Sequence, residues 1–318
     1  MTSQPAPAVL ARYTRSGFTE GVHVGHAVIV DGSGNLVRSW GDPDHVMFPR
    51  SANKPAQAAA MVDAGLELPD RLLALAASSH SGEAEHLAGV LELLALADLD
   101  ESCLQTPANY PLDLVERDVW VRENRAPAAI AMNCSGKHAA MLLTCVGNGW
   151  PIVSYLAPDH PLQVRIREQL ESLASELTAN IGIDGCGAPV MSLTITGLAR
   201  VMSRCMTDDP GMPARRVAAA MVAFPEVVGG TRRDVTDFMR AVPGLVAKDG
   251  AEGVYIAGLP DGTSIAIKVE DGSNRGREVA LAAILVGLGC DPEALKDHLR
   301  LPMWGGPEVV GWVESPLT

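Results

Sequence analysis

Two short modules place a nucleophile or metal-binding atom three residues ahead of a lysine: Ser51-Ala52-Asn53-Lys54 and Cys134-Ser135-Gly136-Lys137. On a helix this spacing sets both side chains on one face, within reach of each other. A lysine beside a serine in a desolvated cleft can lose its proton near neutral pH and act as a base. A lysine beside a cysteine thiolate can join the sulfur as a metal ligand. Ser51 follows Phe48-Pro49-Arg50 and precedes Pro55, a setting that predicts the start of a helix. There the helix dipole favours an alkoxide as it develops. The same tetrapeptide also suits a serine N-cap followed by a solvated lysine, so the remaining motifs have to decide.

Three further segments bear on that choice. Lys248-Asp249-Gly250, at the start of a C-terminal strand pattern, resembles the K-T-G element of serine penicillin-recognising enzymes. Its glycine admits substrate to the strand and its lysine adds positive charge. Ser78-Ser79-His80-Ser81-Gly82-Glu83 lies between the two, in the order those enzymes use, and equally suits a serine-rich loop capping a helix. Asn133-Cys134-Ser135-Gly136-Lys137-His138 is not a P-loop, because no glycine stands five residues before Lys137 and no Ser or Thr follows it. It can form a helix N-terminal anion site. It can also form a metal site, if Cys186 in Asp184-Gly185-Cys186-Gly187 supplies a second thiolate, Lys137 a neutral nitrogen and water the fourth position. Asp184 would orient that water or a ligand. The isolated histidines read as structural or surface residues; His80 and His138 lie beside the motifs.

The elements that must hold these residues read as strands, then helices, then strands. Val9–Thr14, His26–Val30 and Asn35–Trp40 are strand-like, the last two joined by the turn Asp31-Gly32-Ser33-Gly34. From Ser51 to Phe224 the apolar spacing is helical. After Gly229-Gly230, Gly253–Gly258 and Ser264–Glu270 form a second hairpin pattern, and helices over Arg277–Leu288 and near Pro292–Leu299 are expected to close the chain. The simplest fold is one domain over residues 1–318, of α/β (α+β) class. An antiparallel sheet from both chain ends (about 1–50 and 229–318) would carry an inserted helical region (about 51–228).

Of the 318 residues, 47% are hydrophobic but only 4% aromatic, so Ala, Leu and Val must fill the core. A net charge of -13 without a basic run argues against nucleic acid or an anionic membrane as partner. No signal-peptide pattern or membrane-length apolar run is seen, and a cytoplasmic protein is expected. The six scattered cysteines suit free thiols or ligands better than disulfides; Cys145, Cys205 and Cys290 read as buried apolar residues.

Together, the segments from Phe48 to Pro55, Ser79 to Glu83, Asn133 to His138 and Asp184 to Gly187 resemble the Rhizobium etli-type, or class 3, L-asparaginases. Gly229-Gly230-Thr231-Arg232 and Lys248–Gly253 fit the same pattern, and the similarity spans nearly the whole chain. The resemblance implies a serine beta-lactamase/glutaminase-like fold, a homodimer, and hydrolysis of L-asparagine to L-aspartate and ammonia. It implies two Ser–Lys pairs, Ser51 with Lys54 and Ser79 with Lys248, with Ser81 and Lys268 as rivals for the second. It also implies Zn2+ held by Cys134, Lys137 and Cys186, with Asp184 nearby. Arg50, Arg232 and Arg275 are candidates on charge and location to grip the substrate's α-carboxylate. Two alternatives stand beside this one. The first is a glutaminase or other amidohydrolase on the same scaffold. The second is a catalytically silent, zinc-stabilised binding protein.

Overall fold

The computed structural model describes residues 5–317. The chain begins with strands β1 (Ala8–Arg15), β2 (Phe18–Val30), β3 (Leu36–Trp40) and the short β4 (Val46–Met47). Helices α1 (Lys54–Asp63), α2 (Asp70–Ala76), α3 (Ala84–Ala95), α4 (Leu114–Arg122), α5 (Ser135–Gly147) and α6 (Pro161–Ala174) follow. Three short strands come next, β5 (Ile181–Ile183), β6 (Pro189–Met191) and β7 (Leu193–Thr194). They lead into α7 (Ile195–Thr207), α8 (Pro213–Ala223), α9 (Pro225–Val228) and α10 (Asp234–Ala241). Strands β8 (Val246–Gly250), β9 (Val254–Gly258) and β10 (Ser264–Val269) return the chain to the sheet. It finishes with α11 (Asn274–Gly287), α12 (Lys296–Leu299), β11 (Arg300–Gly305) and β12 (Glu308–Glu314).

The main sheet is antiparallel, in the order β11-β12-β1-β2-β10-β9-β8, with β3 also on β2. The long β2 explains the branch: its first half pairs with β1 and its second half, from Ala27 on, with β3. Strands from both chain ends thus meet in one sheet, as the sequence pattern implies. The two expected late helices are present as α11 and α12, but the chain does not close there: it runs on into the hairpin β11–β12, which pairs back onto β1 through Arg12–Glu314 and Tyr13–Val313. Pro302 and Gly311 interrupt the alternation there, which hides the strand period from a reading of the sequence. Met191, expected in a helix, lies in β6, and Cys290 is half-buried rather than core.

Strands β8, β9 and β10 are buried along nearly their whole length, so both sheet faces are covered there. Helix α7 packs on β9, β10 and β2, and α11 packs on β1, β10 and β12. Among the helices, α1 is the central one. Every residue from Lys54 to Val62 is buried, against α5, α6 and α8. Its alanines allow this close approach all round, and the shortage of aromatics in the chain is met by small side chains. Because the helix begins with Lys54, an ammonium is carried into the interior and has to find partners there. Among the described residues no helix is long and apolar enough to cross a membrane.

Candidate active site

Ser51 lies in a single 3-10 turn, Arg50–Asn53, immediately before α1. Arg50 has φ +52°, in the left-handed region that non-glycine residues rarely enter, so the turn is held in a strained form. The end of β8 packs against it. A side chain at Gly250 would bring its Cβ within 2.7 Å of the Pro49 carbonyl oxygen and 3.2 Å of the Ala52 nitrogen. The glycine of Lys248-Asp249-Gly250 therefore lets the strand edge reach the serine turn.

Ser51 and Ser79 line one cavity of about 500 Å3, with Asn133, Arg233, Asp249 and Gly250 on the same wall. Lys54, 1% exposed, donates to the Ser78 carbonyl at 2.5 Å and to Ser79 Oγ at 3.0 Å. The lysine thus meets Ser79 rather than the serine three residues before it, and the Ser51 hydroxyl has no hydrogen bond to another described residue. Ser81, the rival of Ser79, donates to the Gly229 carbonyl at 2.8 Å. Gly230 stands at φ +127° against it, where a Cβ would strike Ser81 Oγ at 2.2 Å. The hydroxyl of Ser81 is committed to that contact.

Lys248 is fully buried on β8 and bonds to Asp249, at 2.7 Å to its carbonyl and 2.6 Å to its Oδ1. Ser79 and Lys248 have no hydrogen bond between them. Burial lowers Lys248 to about 8, against the attraction of Asp249 and assisted by the charge of Lys54. The rival Lys268 ties to the carbonyls of Glu252 and Val269 and does not line the cavity. Asp249 in turn takes Arg233 Nη2 at 2.6 Å, and Arg233 Nη1 reaches the Ser79 carbonyl at 3.3 Å. Sequence reading missed Arg233 and gave no role to Asp249, the middle residue of Lys248-Asp249-Gly250. Arg233 adjoins Arg232, which was the available signal.

The other arginines divide. Arg232 lines the cavity but is held by Asp113 at 2.7 and 2.9 Å. Arg50 pairs with Asp184 at 2.7 Å. Burial raises the Asp184 carboxyl, but the bond from Arg50 and the charge of Lys137 bring it below the usual range. Arg275 lies over Tyr13 and bonds to His23 at 3.0 Å, away from the cavity lining. His80 donates from Nε2 to Ser135 Oγ at 2.8 Å, since that hydroxyl gives its own proton to the Ile130 carbonyl. Burial, then His86, Lys54 and Arg233, keep this imidazole well below its usual range, so it is a neutral latch between the Ser79 loop and α5.

Cys134, Lys137 and Cys186 converge at the head of α5. All three are nearly fully buried, and Lys137 Nζ is 3.3 Å from Cys186 Sγ. A hydrogen bond from Cys186 draws the Cys134 thiol well below its usual range, and Lys54 and Lys137 add to this. Cys186 itself is pushed up. Burial opposes the charge on Lys137, but the two sulfurs hold it as an ammonium. Two soft sulfurs and a nitrogen at contact distance, with Asp184 Oδ2 4.0 Å from Cys186 Sγ, form a donor set that fits a soft four-coordinate cation, protons leaving as it binds.

A second group, His26, His45 and Glu270, brings its ligand atoms within 4.8 Å of one another. Its hydrogen bonding differs from that of a ligand set. The Asp42 backbone N–H donates to His26 Nδ1 at 2.8 Å, so the neutral ring carries its proton on Nε2. That proton faces Glu270 Oε1 at 3.2 Å and leaves no lone pair for a metal.

Residues 11–315 match the family described as L-asparaginase II. The chain belongs to that family. No curated protein matches it. Similar solved structures include Mglu in its native form, at 16% identity over 83% of this chain and 63% of that one, with a TM-score of 0.45. A beta-lactamase from Mycobacterium bovis is 14% identical over 83% of this chain and 94% of that one, with a TM-score of 0.47. A Bacillus glutaminase is 12% identical over 83% of this chain and 89% of that one, with a TM-score of 0.45. The chain spans less than two thirds of the length of Mglu.

Proposed function

We propose that this amidohydrolase is an L-asparaginase of the Rhizobium etli type, using serine–lysine nucleophilic catalysis beside a zinc site. The observation that carries the reading is the 3.0 Å contact of Lys54 Nζ with Ser79 Oγ, on a cavity that Ser51 also lines. The Ser51 hydroxyl adds to the side-chain amide carbon of L-asparagine while Lys54, as the base, takes its proton through Ser79. The backbone N–H groups of Ser51 and Ala251, both on the cavity wall, are the candidates to hold the oxyanion. Collapse breaks the C–N bond, the nitrogen takes that proton, and ammonia leaves. Water then cleaves the acyl-serine to L-aspartate, with Lys248 as a second base. Arg233, which stands on the cavity beside Ser79 and shares its guanidinium with Asp249, is the candidate to grip the α-carboxylate.

Cys134, Lys137 and Cys186 would hold the zinc, whose charge would order the loop bearing Asp184 and the head of α5. The chain acts as one asparaginase domain and, on the family resemblance, as a cytoplasmic homodimer, which sedimentation would test. The decisive experiment is ammonia release from L-asparagine and L-glutamine by the wild type and Ser51→Ala. Asparagine turnover that falls about ten-thousandfold in the variant is expected. Preference for glutamine would favour the glutaminase alternative. No turnover of either amide by folded, metal-replete protein would favour a silent binding protein.

A further inference from the structure

The cavity of Ser51 and Ser79 carries an excess of acid at part of its lining, where Asp234, Asp237 and Glu278 occur with His298. Asp237 is half-buried, and its carboxylate has neither hydrogen bond nor ion pair with another described residue. Glu278 Oε1 has one partner, His298 Nδ1, at 2.8 Å. Asp234 has only Arg277 Nη2 at 3.7 Å, a group that Asp249 shares at 3.6 Å. The close partners of these three carboxylates are thus one imidazole and one divided guanidinium. Arg240 acts on Asp237, and Arg233 on Asp234, only through their charge. Burial raises both Asp237 and Glu278, so bringing a cation to them would be favourable.

A second, independent sign of a ligand comes from the same wall. Arg277 lines the cavity, is 3% exposed, and leaves its Nε without any hydrogen-bond partner. An unpaired donor buried in this way is costly unless a ligand satisfies it. Cations that reach for an anion and carboxylates that lack a cation, on one cavity, suit a zwitterion. We infer that Asp237 and Glu278 form the subsite for the α-ammonium group of a free amino-acid ligand. This deepens the asparaginase reading and rests on it for the location of the reacting amide.

The test separates the two by using ligands that are not turned over. Calorimetry compares L-aspartate with succinate, which has the same two carboxylates and no ammonium. The wild type is expected to bind aspartate at least tenfold more tightly. Asp237→Asn, which leaves the Glu278–His298 bond in place, should bring the two affinities close to parity, and Glu278→Gln should narrow the gap. Circular dichroism checks that each variant is folded. Equal affinities in the wild type, binding of neither ligand, or a preference unchanged in both variants would overturn the inference. A preference for aspartate in a protein that releases no ammonia would leave the subsite standing and sink the amidohydrolase reading.

Discussion

Ser51-Ala52-Asn53-Lys54 and Cys134-Ser135-Gly136-Lys137 each deliver a buried lysine at the head of a helix, yet Lys54 ends on oxygen and Lys137 on sulfur. In neither module is the lysine's hydrogen bond made to the residue three positions before it. Lys54 meets Ser79, 25 residues on, and Lys137 meets Cys186, 49 residues on. The module fixes where the ammonium enters the core, and a distant loop decides what chemistry it joins. In the proposed function, a hydroxyl and a carbonyl serve proton transfer, and two thiols serve a metal.

That division predicts opposite losses. Lys54→Met should lower kcat for L-asparagine by about a hundredfold to ten-thousandfold while keeping the wild-type metal content. Lys137→Met should lose the metal and melt at a lower temperature, because a cation that binds only the folded state stabilises it, by about 2.7 kcal/mol at a hundred times its Kd. Metal analysis beside ammonia release and thermal melting distinguishes them. If Lys137→Met kept its metal, or Lys54→Met lost it, the two modules would not have separate tasks.

The sequence allowed the positions to be read better than the pairings. Strand and turn chemistry placed Ser51 ahead of a helix and Lys248-Asp249-Gly250 on a strand, because both depend on local periodicity. What joins Lys54 to Ser79 is the burial of α1 on every side, a property of how four helices pack rather than of any tetrapeptide. Arg233 was hidden for a similar reason. Beside Arg232 it is one more arginine until β8 brings Asp249 to it. Arg275 shows the converse, since its charge suited a carboxylate but α11 turns it toward Tyr13 and His23.

A third lysine sharpens the comparison through pH. Burial brings Lys248 down to about 8 from an ordinary 10.5. If it serves as a base, kcat/KM should rise through about pH 8 and then level, and Lys248→Met should lack that limb. The same shift has a stability consequence. Between about pH 8 and 10.5 the unfolded chain holds the proton more tightly, so the Lys248 contribution to stability rises with pH across that window. Below it the buried charge is a constant cost. Urea midpoints at pH 7.5 and 9.5, taken as differences from Lys248→Met, should therefore move in favour of the wild type at the higher pH. A flat difference would mean that the ammonium is kept charged by Asp249 throughout.

The smallest effect tests whether the loop opposite Lys54 works through one hydroxyl or two. Ser79 and Ser81 are two residues apart and both buried, but only Ser79 lines the cavity and touches the lysine. Ser81 gives its proton to Gly229, and Glu83 holds the neighbouring Thr231 N–H at 2.8 Å, so this end of the loop serves to fix the Gly229–Gly230 turn. Ser81→Ala should then cost about 1 kcal/mol of stability, that of one hydrogen bond, and leave the Gly229 carbonyl short of a partner. Turnover should stay within a few-fold of the wild type. Ser79→Ala, with nearly the same change in volume, should cost at least a hundredfold in kcat. If the two variants lost activity equally, the proton path would run through both hydroxyls, and the Gly229 contact would be a resting position of a mobile relay.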